Sequence, residues 1–241
     1  MVIRQRRDAG TFDRELVAAG AGQLTVLAAL AGVLGLHGVG WLAGLLFMVA
    51  VRLLTGLCGP AARAAAAGPA NRVTLVRAVL IGGVTALVAD GLVHGGLQGA
   101  RLTVLVVMAS VALALDLVDG WVARRTGTES ELGARLDMEM DALLVLVLSV
   151  LAAVSLGVWV LVIGLMRYLF VLAGNHYPWL CGSLPASRAR KVVAAVQGVV
   201  LTVVCASVLP VAVATAAVIA ALVTLLWSFG RDTLWLAAQP R

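Results

Sequence analysis

The chain has 241 residues, of which 62% are hydrophobic and only 12% charged, whereas a soluble domain carries about 25% charged residues. That composition excludes a water-soluble globular domain. A net charge of +6 on so apolar a chain points to an anionic membrane surface rather than to nucleic acid. The three cysteines, Cys58, Cys181 and Cys205, show neither a CxxC pair nor a metal-ligand spacing, so they read as packing residues.

A bilayer span takes roughly 20 mostly apolar residues, and the chain has room for eight such segments. The basic stretch from Met1 to Arg7 precedes the first apolar run by several residues, which suits a retained first helix and not a cleaved signal. Two spans are expected at 17–36 and 39–57, joined by a short loop at His37 and Gly38. An Ala/Gly-rich stretch, 59–70, reads as a linker or interfacial segment. Six further spans are expected at 71–88, 101–122, 135–154, 158–172, 191–209 and 211–229. Because each would be helical in lipid, the fold class is an all-α integral membrane protein.

Eight spans put both termini on one side. Nearly all basic residues, from Arg4 through Arg63, Arg72, Arg124 and Arg125 to Lys191 and Arg231, then share that side, and Arg101 falls at a span end opposite. Positive residues favour the cytoplasm, so that side is expected to be cytoplasmic in a multi-pass, bacterial-type inner or plasma membrane protein.

One segment breaks the apolar pattern. The run from Arg101 stays apolar until Asp116 and continues through Asp119 and Gly120 to Ala123 and Arg124; after a polar turn come Gly133, Asp137 and Asp141. Carboxylates in a span are costly and face functional cavities. Asp116 and Asp119 are three apart and Asp137 and Asp141 four apart, so each pair shares a helix face. Four carboxylates brought together repel unless a cation sits among them. Oxygen donors of this kind suit Mg²⁺ or Mn²⁺, and two ions about 4 Å apart can clamp a pyrophosphate. Gly120, Ala123 and Gly133 permit close approach of a ligand, and Arg124 can take a phosphate in bidentate fashion. Two other readings stand beside this one: helix-end anchors paired with Arg124, Arg125 and Arg135, and an ion or proton relay of a transporter. A relay needs ionisable residues across the membrane, and the only acid expected on the outer side is Asp90, in a loop.

The array Asp116-x2-Asp119-Gly120-x2-Ala123-Arg124-x8-Gly133-x3-Asp137-x3-Asp141 resembles the signature of the class I CDP-alcohol phosphatidyltransferases at all eight fixed positions, with the acceptor subfamily unassigned. The segment Pro69-Ala-Asn71-Arg-Val-Thr74-Leu-Val-Arg77 is similar to that family's entry to its first core helix. Read alone, Asn71 is a helix cap and Arg77 an interfacial anchor. The resemblance implies a six-helix catalytic domain at 67–241, preceded by an accessory pair of transmembrane helices within 1–66. It implies that Asp116, Asp119, Asp137 and Asp141 hold metal, Mg²⁺ or Mn²⁺ in a pair of ions, and that Asp141 is also the general base toward the acceptor hydroxyl. It implies that Asn71, Thr74, Gly120, Ala123, Arg124, Ser130 and Gly133 bind the CDP part. Met138, Glu139 and Met140, with Ala142, depart from the Pro and Lys common there in phosphatidylglycerophosphate synthases; on a helix Glu139 points away from Asp137, as a solvated or Arg-paired side chain.

The expected partners are a CDP-alcohol lipid donor, a small polar alcohol acceptor and membrane lipids, with no nucleic acid; a homodimer is compatible with them. CDP-diacylglycerol is the expected donor, and a CDP-linked small alcohol with a lipid acceptor is the reversed case. Arg167 within a span and Lys191 at a span start are weighed as acceptor-side residues against positive-inside anchoring. His176 reads as a loop residue without a visible partner.

Overall fold

A computed structural model describes the backbone of residues 2–126, 130–182 and 187–238, and the side chains of these apart from 2–9, Pro60, 119–124, Thr126, Cys181 and Arg188. Among the described residues the regular structure is helical, with no strand. The helices are α1 (Val2–Leu34), α2 (Gly38–Gly56), α3 (Pro60–Ala66), α4 (Pro69–Val93), α5 (Gly99–Thr126), α6 (Glu131–Leu156), α7 (Leu161–His176), α8 (Arg188–Cys205) and α9 (Val211–Ala237), with single 3₁₀ turns at Val158–Val160 and Pro178–Cys181. They form two compact units, Met1–Asp141 and Ala142–Arg241.

Among the described residues, 7 helices are long and apolar enough to cross a membrane, where the sequence suggests eight spans. The eighth expected span falls on α8, whose 18 residues open on Arg188, Arg190 and Lys191; the side chain of Arg188 lies outside the described residues.

In the first unit α4 is the hub, packed on α1, α2 and α5. Its spanning window is 67% buried, against 22–33% for the other six. Small residues make this possible, because packing within a bilayer relies on close backbone approach. A Cβ at Gly82 would meet Gln23 Oε1 of α1 at 2.5 Å, and one at Gly44 of α2 would meet Leu27 at 2.7 Å. The Ala/Gly-rich stretch read as a linker is the helix α3, started by Pro60, a residue suited to the first helical position. Ion pairs fasten the start of α1: Arg63 to Asp13 at 3.2 Å, Arg52 to Asp13 at 3.9 Å and Arg72 to Glu15 at 2.7 Å.

Helices α4 and α9 run well past their expected ends. Helix α4 continues to Val93 and stops where Gly95 and Gly96 take φ of +98° and +93°, values that suit glycine. Asp90, expected in a loop, is therefore helical and buried. Helix α9 continues to Ala237 because Ser228, Asp232 and Leu236, spaced one turn apart, give it a buried face.

In the second unit, Gly164 of α7 lies directly against α6, where a Cβ would come 2.6 Å from Leu146 Cα. Gln197 of α8 donates to the Ala221 carbonyl of α9 at 2.9 Å, and the Cys205 thiol lies 3.4 Å from the Leu148 carbonyl, in keeping with a packing role. Asp232 collects Arg231 at 3.1 Å and Arg190 at 3.6 Å. His176 is the last residue of α7, not a loop residue, and its ring stands edge-on to Tyr177 at 4.8 Å.

Candidate active site

The site is built on α4, α5 and α6 of the first unit. Arg77 projects from α4 with no exposed side-chain surface, and a buried guanidinium is tolerated only when fully paired. Its partners are the expected carboxylates. Nη1 lies 3.0 Å from Asp116 Oδ1 of α5 and also contacts Asp137 of α6, while Nη2 contacts Asp141. Asp137 and Asp141 reach the same guanidinium because four residues along α6 is about one turn. One oxygen from each of Asp116, Asp137 and Asp141 lies within 4.8 Å of the others.

Three of the four carboxylates singled out in the sequence are thus brought together. The side chain of the fourth, Asp119, lies outside the described residues, as do those of Gly120, Ala123 and Arg124. Arg77, read as an interfacial anchor, is instead the buried counter-ion of the cluster. Its spacing held the signal: Asn71, Thr74 and Arg77 recur every three residues, and all three are buried on one side of α4.

Charge decides what else the site can take. Three carboxylates set against one guanidinium leave two negative charges among these side chains, the charge of one divalent cation. The carboxylates keep 29–40% of their surface exposed, so ions and polar ligands can reach them. Hard oxygen donors of this kind fit Mg²⁺ or Mn²⁺.

The neighbouring residues divide by environment. Asn71 is buried, and neither polar atom of its amide has a hydrogen-bond partner among the described residues. Thr74, also buried, donates to the Ala70 carbonyl at 3.4 Å. Ser130 caps α6: its Oγ accepts the Gly133 N–H at 3.0 Å, which satisfies one of the free donors of the first turn. The side of Gly133 is filled by that hydroxyl, 2.9 Å from where a Cβ would stand. Arg167, half-buried on α7, and Lys191, exposed in the first turn of α8, belong to the second unit.

Helices of spanning length, a carboxylate cluster at one end of them and a buried guanidinium at its centre define a membrane-embedded, metal-compatible site for a charged substrate. The family model for CDP-alcohol phosphatidyltransferase matches residues 67–227, well over half of the chain, and the protein belongs to that family. It is therefore a transferase that moves a phosphoalcohol group from a CDP-alcohol to an alcohol acceptor within a membrane. Such enzymes are typically dependent on a divalent metal, and the oxygen donors present fit one. No curated protein and no solved structure matches the chain.

Proposed function

We propose that the chain transfers a phosphatidyl group from CDP-diacylglycerol to the hydroxyl of a polar acceptor and releases CMP, as a step in phospholipid synthesis. The observation that supports this most is the convergence of Asp116, Asp137 and Asp141, from two helices, on buried Arg77. Asp116, Asp119 and Asp137 would hold Mg²⁺ or Mn²⁺, with Asp141 sharing an ion. A bound divalent pair supplies charge neutralisation of the pyrophosphate.

The chain's own groups do the rest. Asp141 takes the proton of the acceptor hydroxyl as its oxygen bonds to the β-phosphorus, and the bond from that phosphorus to the CMP oxygen breaks. Arg77 fixes the directions of Asp137 and Asp141, so that the base is already oriented when the acceptor arrives. The orphaned Asn71 amide is suited to a nucleotide, which would satisfy its donors and acceptor. Thr74, Gly120, Ala123, Arg124, Ser130 and Gly133 complete the CDP contacts in this reading. Arg167 and Lys191 would favour a phosphorylated acceptor. The site is assigned to the cytoplasmic side: Arg72 at the start of α4 and Arg125 at the end of α5, with Arg63 of α3 and Arg135 near the start of α6, mark its end, and Arg101 near the start of α5 marks the other.

A transport pathway is less well supported. From Ala78 to Ala89 on α4, and from Leu102 to Leu115 on α5, there is no ionisable side chain, so the charged groups do not continue as a relay.

The test is CMP release by the purified protein in detergent, given CDP-diacylglycerol, Mg²⁺ or Mn²⁺ and a panel of acceptor alcohols. Asp137→Asn and Asp141→Asn are each expected to abolish release. Full activity in either variant would refute the assignment, and solute flux across sealed vesicles without CMP release would favour transport.

A further inference from the structure

Asp116, Asp137 and Asp141 each turn one oxygen, Oδ1, to the Arg77 guanidinium. Arg77 is held there. It has no exposed side-chain surface, it stands on the most buried of the spanning helices, α4, and its three partners come from two other helices, α5 and α6. A guanidinium stays charged at any physiological pH. The site therefore contains a fixed positive charge among the very carboxylates that would hold divalent ions, and their oxygens lie within 4.8 Å of one another, so an ion bound among them lies close to that charge.

A fixed charge limits how many ions the site can take. Three carboxylates against Arg77 leave two negative charges among the described side chains. Asp119 and Arg124, whose side chains lie outside the described residues, add one charge of each sign. Arg125 and Arg135 are exposed, where water and salt screen them. One divalent ion brings the sum to zero. A second leaves an excess of two positive charges, and unbalanced charge in a poorly solvated site is costly. The pyrophosphate of a CDP-alcohol carries about one negative charge per phosphate, which cancels that excess.

We infer that Arg77 makes ion loading conditional on the donor: the site alone takes one divalent ion, and the second enters with the pyrophosphate of the CDP-alcohol. This rests on the metal-dependent transfer proposed above and adds its order of assembly. The full set of positive charges is then complete only around a bound donor, when there is a phosphorus for the acceptor oxygen to attack. By linkage, the donor and the second ion tighten each other's binding by the same factor.

The full chain, purified in detergent and stripped with a chelator, is titrated with Mn²⁺ while free Mn²⁺ is followed by its EPR signal. The titration is run with and without CDP, which carries the pyrophosphate but has no alcohol group to transfer; Mn²⁺ and CDP without protein set the baseline. The expected result is one tightly held Mn²⁺ without CDP and a second with it, CDP tightening the second about 5- to 150-fold. Arg77→Met should take two ions without CDP, and Arg77→Lys, which keeps the charge, should restore the dependence on CDP. If Arg77→Met does not fold, Arg77→Gln makes the same comparison. Two ions held equally tightly by the unsubstituted protein without CDP, or a second ion still governed by CDP in the neutral variants, would overturn the inference and leave the transfer reaction standing. No Mn²⁺ bound under any condition would overturn both.

Discussion

Replacing Arg77 by methionine keeps much of the side-chain length and removes the charge that joins Asp116, Asp137 and Asp141 through one group. Breaking a buried ion pair by deleting one partner costs about 3–5 kcal/mol. The carboxylates here are 29–40% exposed, so water screens part of the repulsion, and the lower end of that range, about 3 kcal/mol, is the better figure. For a chain of this size each kcal/mol moves the melting temperature by about 2–4 °C, which gives a fall of about 6–12 °C in the presence of chelator. Millimolar Mg²⁺ should recover part of the fall, because a divalent ion replaces the missing positive charge among the same oxygens. Arg77→Lys should fall less than Arg77→Met but not match the native protein, since one ammonium cannot serve Asp137 and Asp141 through two separate nitrogens. Thermal unfolding in detergent, followed by tryptophan fluorescence with chelator and then with Mg²⁺, measures all three. A melting temperature unchanged by Arg77→Met, or a fall of equal size with and without Mg²⁺, would refute the counter-ion role.

Gln23 is fully buried among α1, α2 and α4, with neither amide atom hydrogen-bonded among the described residues; Gln23→Met should therefore raise stability by about 1 kcal/mol, read as a higher melting temperature with CMP release unchanged. Gly164→Ala forces a methyl to within 2.6 Å of Leu146 Cα, and should lower stability by about 1–3 kcal/mol through overpacking, with lower detergent-extracted yield as a second readout. Ser130→Ala removes the cap on the Gly133 N–H and should cost about 0.5–2 kcal/mol; because the cap precedes Asp137 by only two turns, CMP release should fall along with melting temperature.

The apolar spans and the aspartate cluster were legible because each contrasts with its surroundings: long apolar runs can hardly be anything but spans, and carboxylates one turn apart in such a run must share a face. What escaped was the identity of residues whose meaning depends on partners distant in sequence. Arg77 is eight residues into α4, where an arginine anchoring a helix end and one buried among carboxylates look alike in sequence. Only the placement of Asp116, Asp137 and Asp141, 39 to 64 residues later, separates the two. Asp90 was misread for a local reason. The run Asp90-Gly91 resembles a turn, yet Gly91 is small because Leu97 packs against it, 2.6 Å from where a Cβ would stand, and the helix ends only at the glycines with positive φ.

The order of charges along the chain bears on how the protein is made. Arg77 is synthesised before every acid it meets: α4 enters the membrane first, α5 follows with Asp116, and α6 then brings Asp137 and Asp141. An ionised aspartate in a nascent span raises the cost of insertion, by about 3 kcal/mol at the helix centre and less toward its end. Here each acid reaches a membrane in which a matching cation already resides, so the penalty is offset helix by helix during translation. The positive charge that shapes the mature site thus also eases its biogenesis, before any ion or nucleotide has been bound.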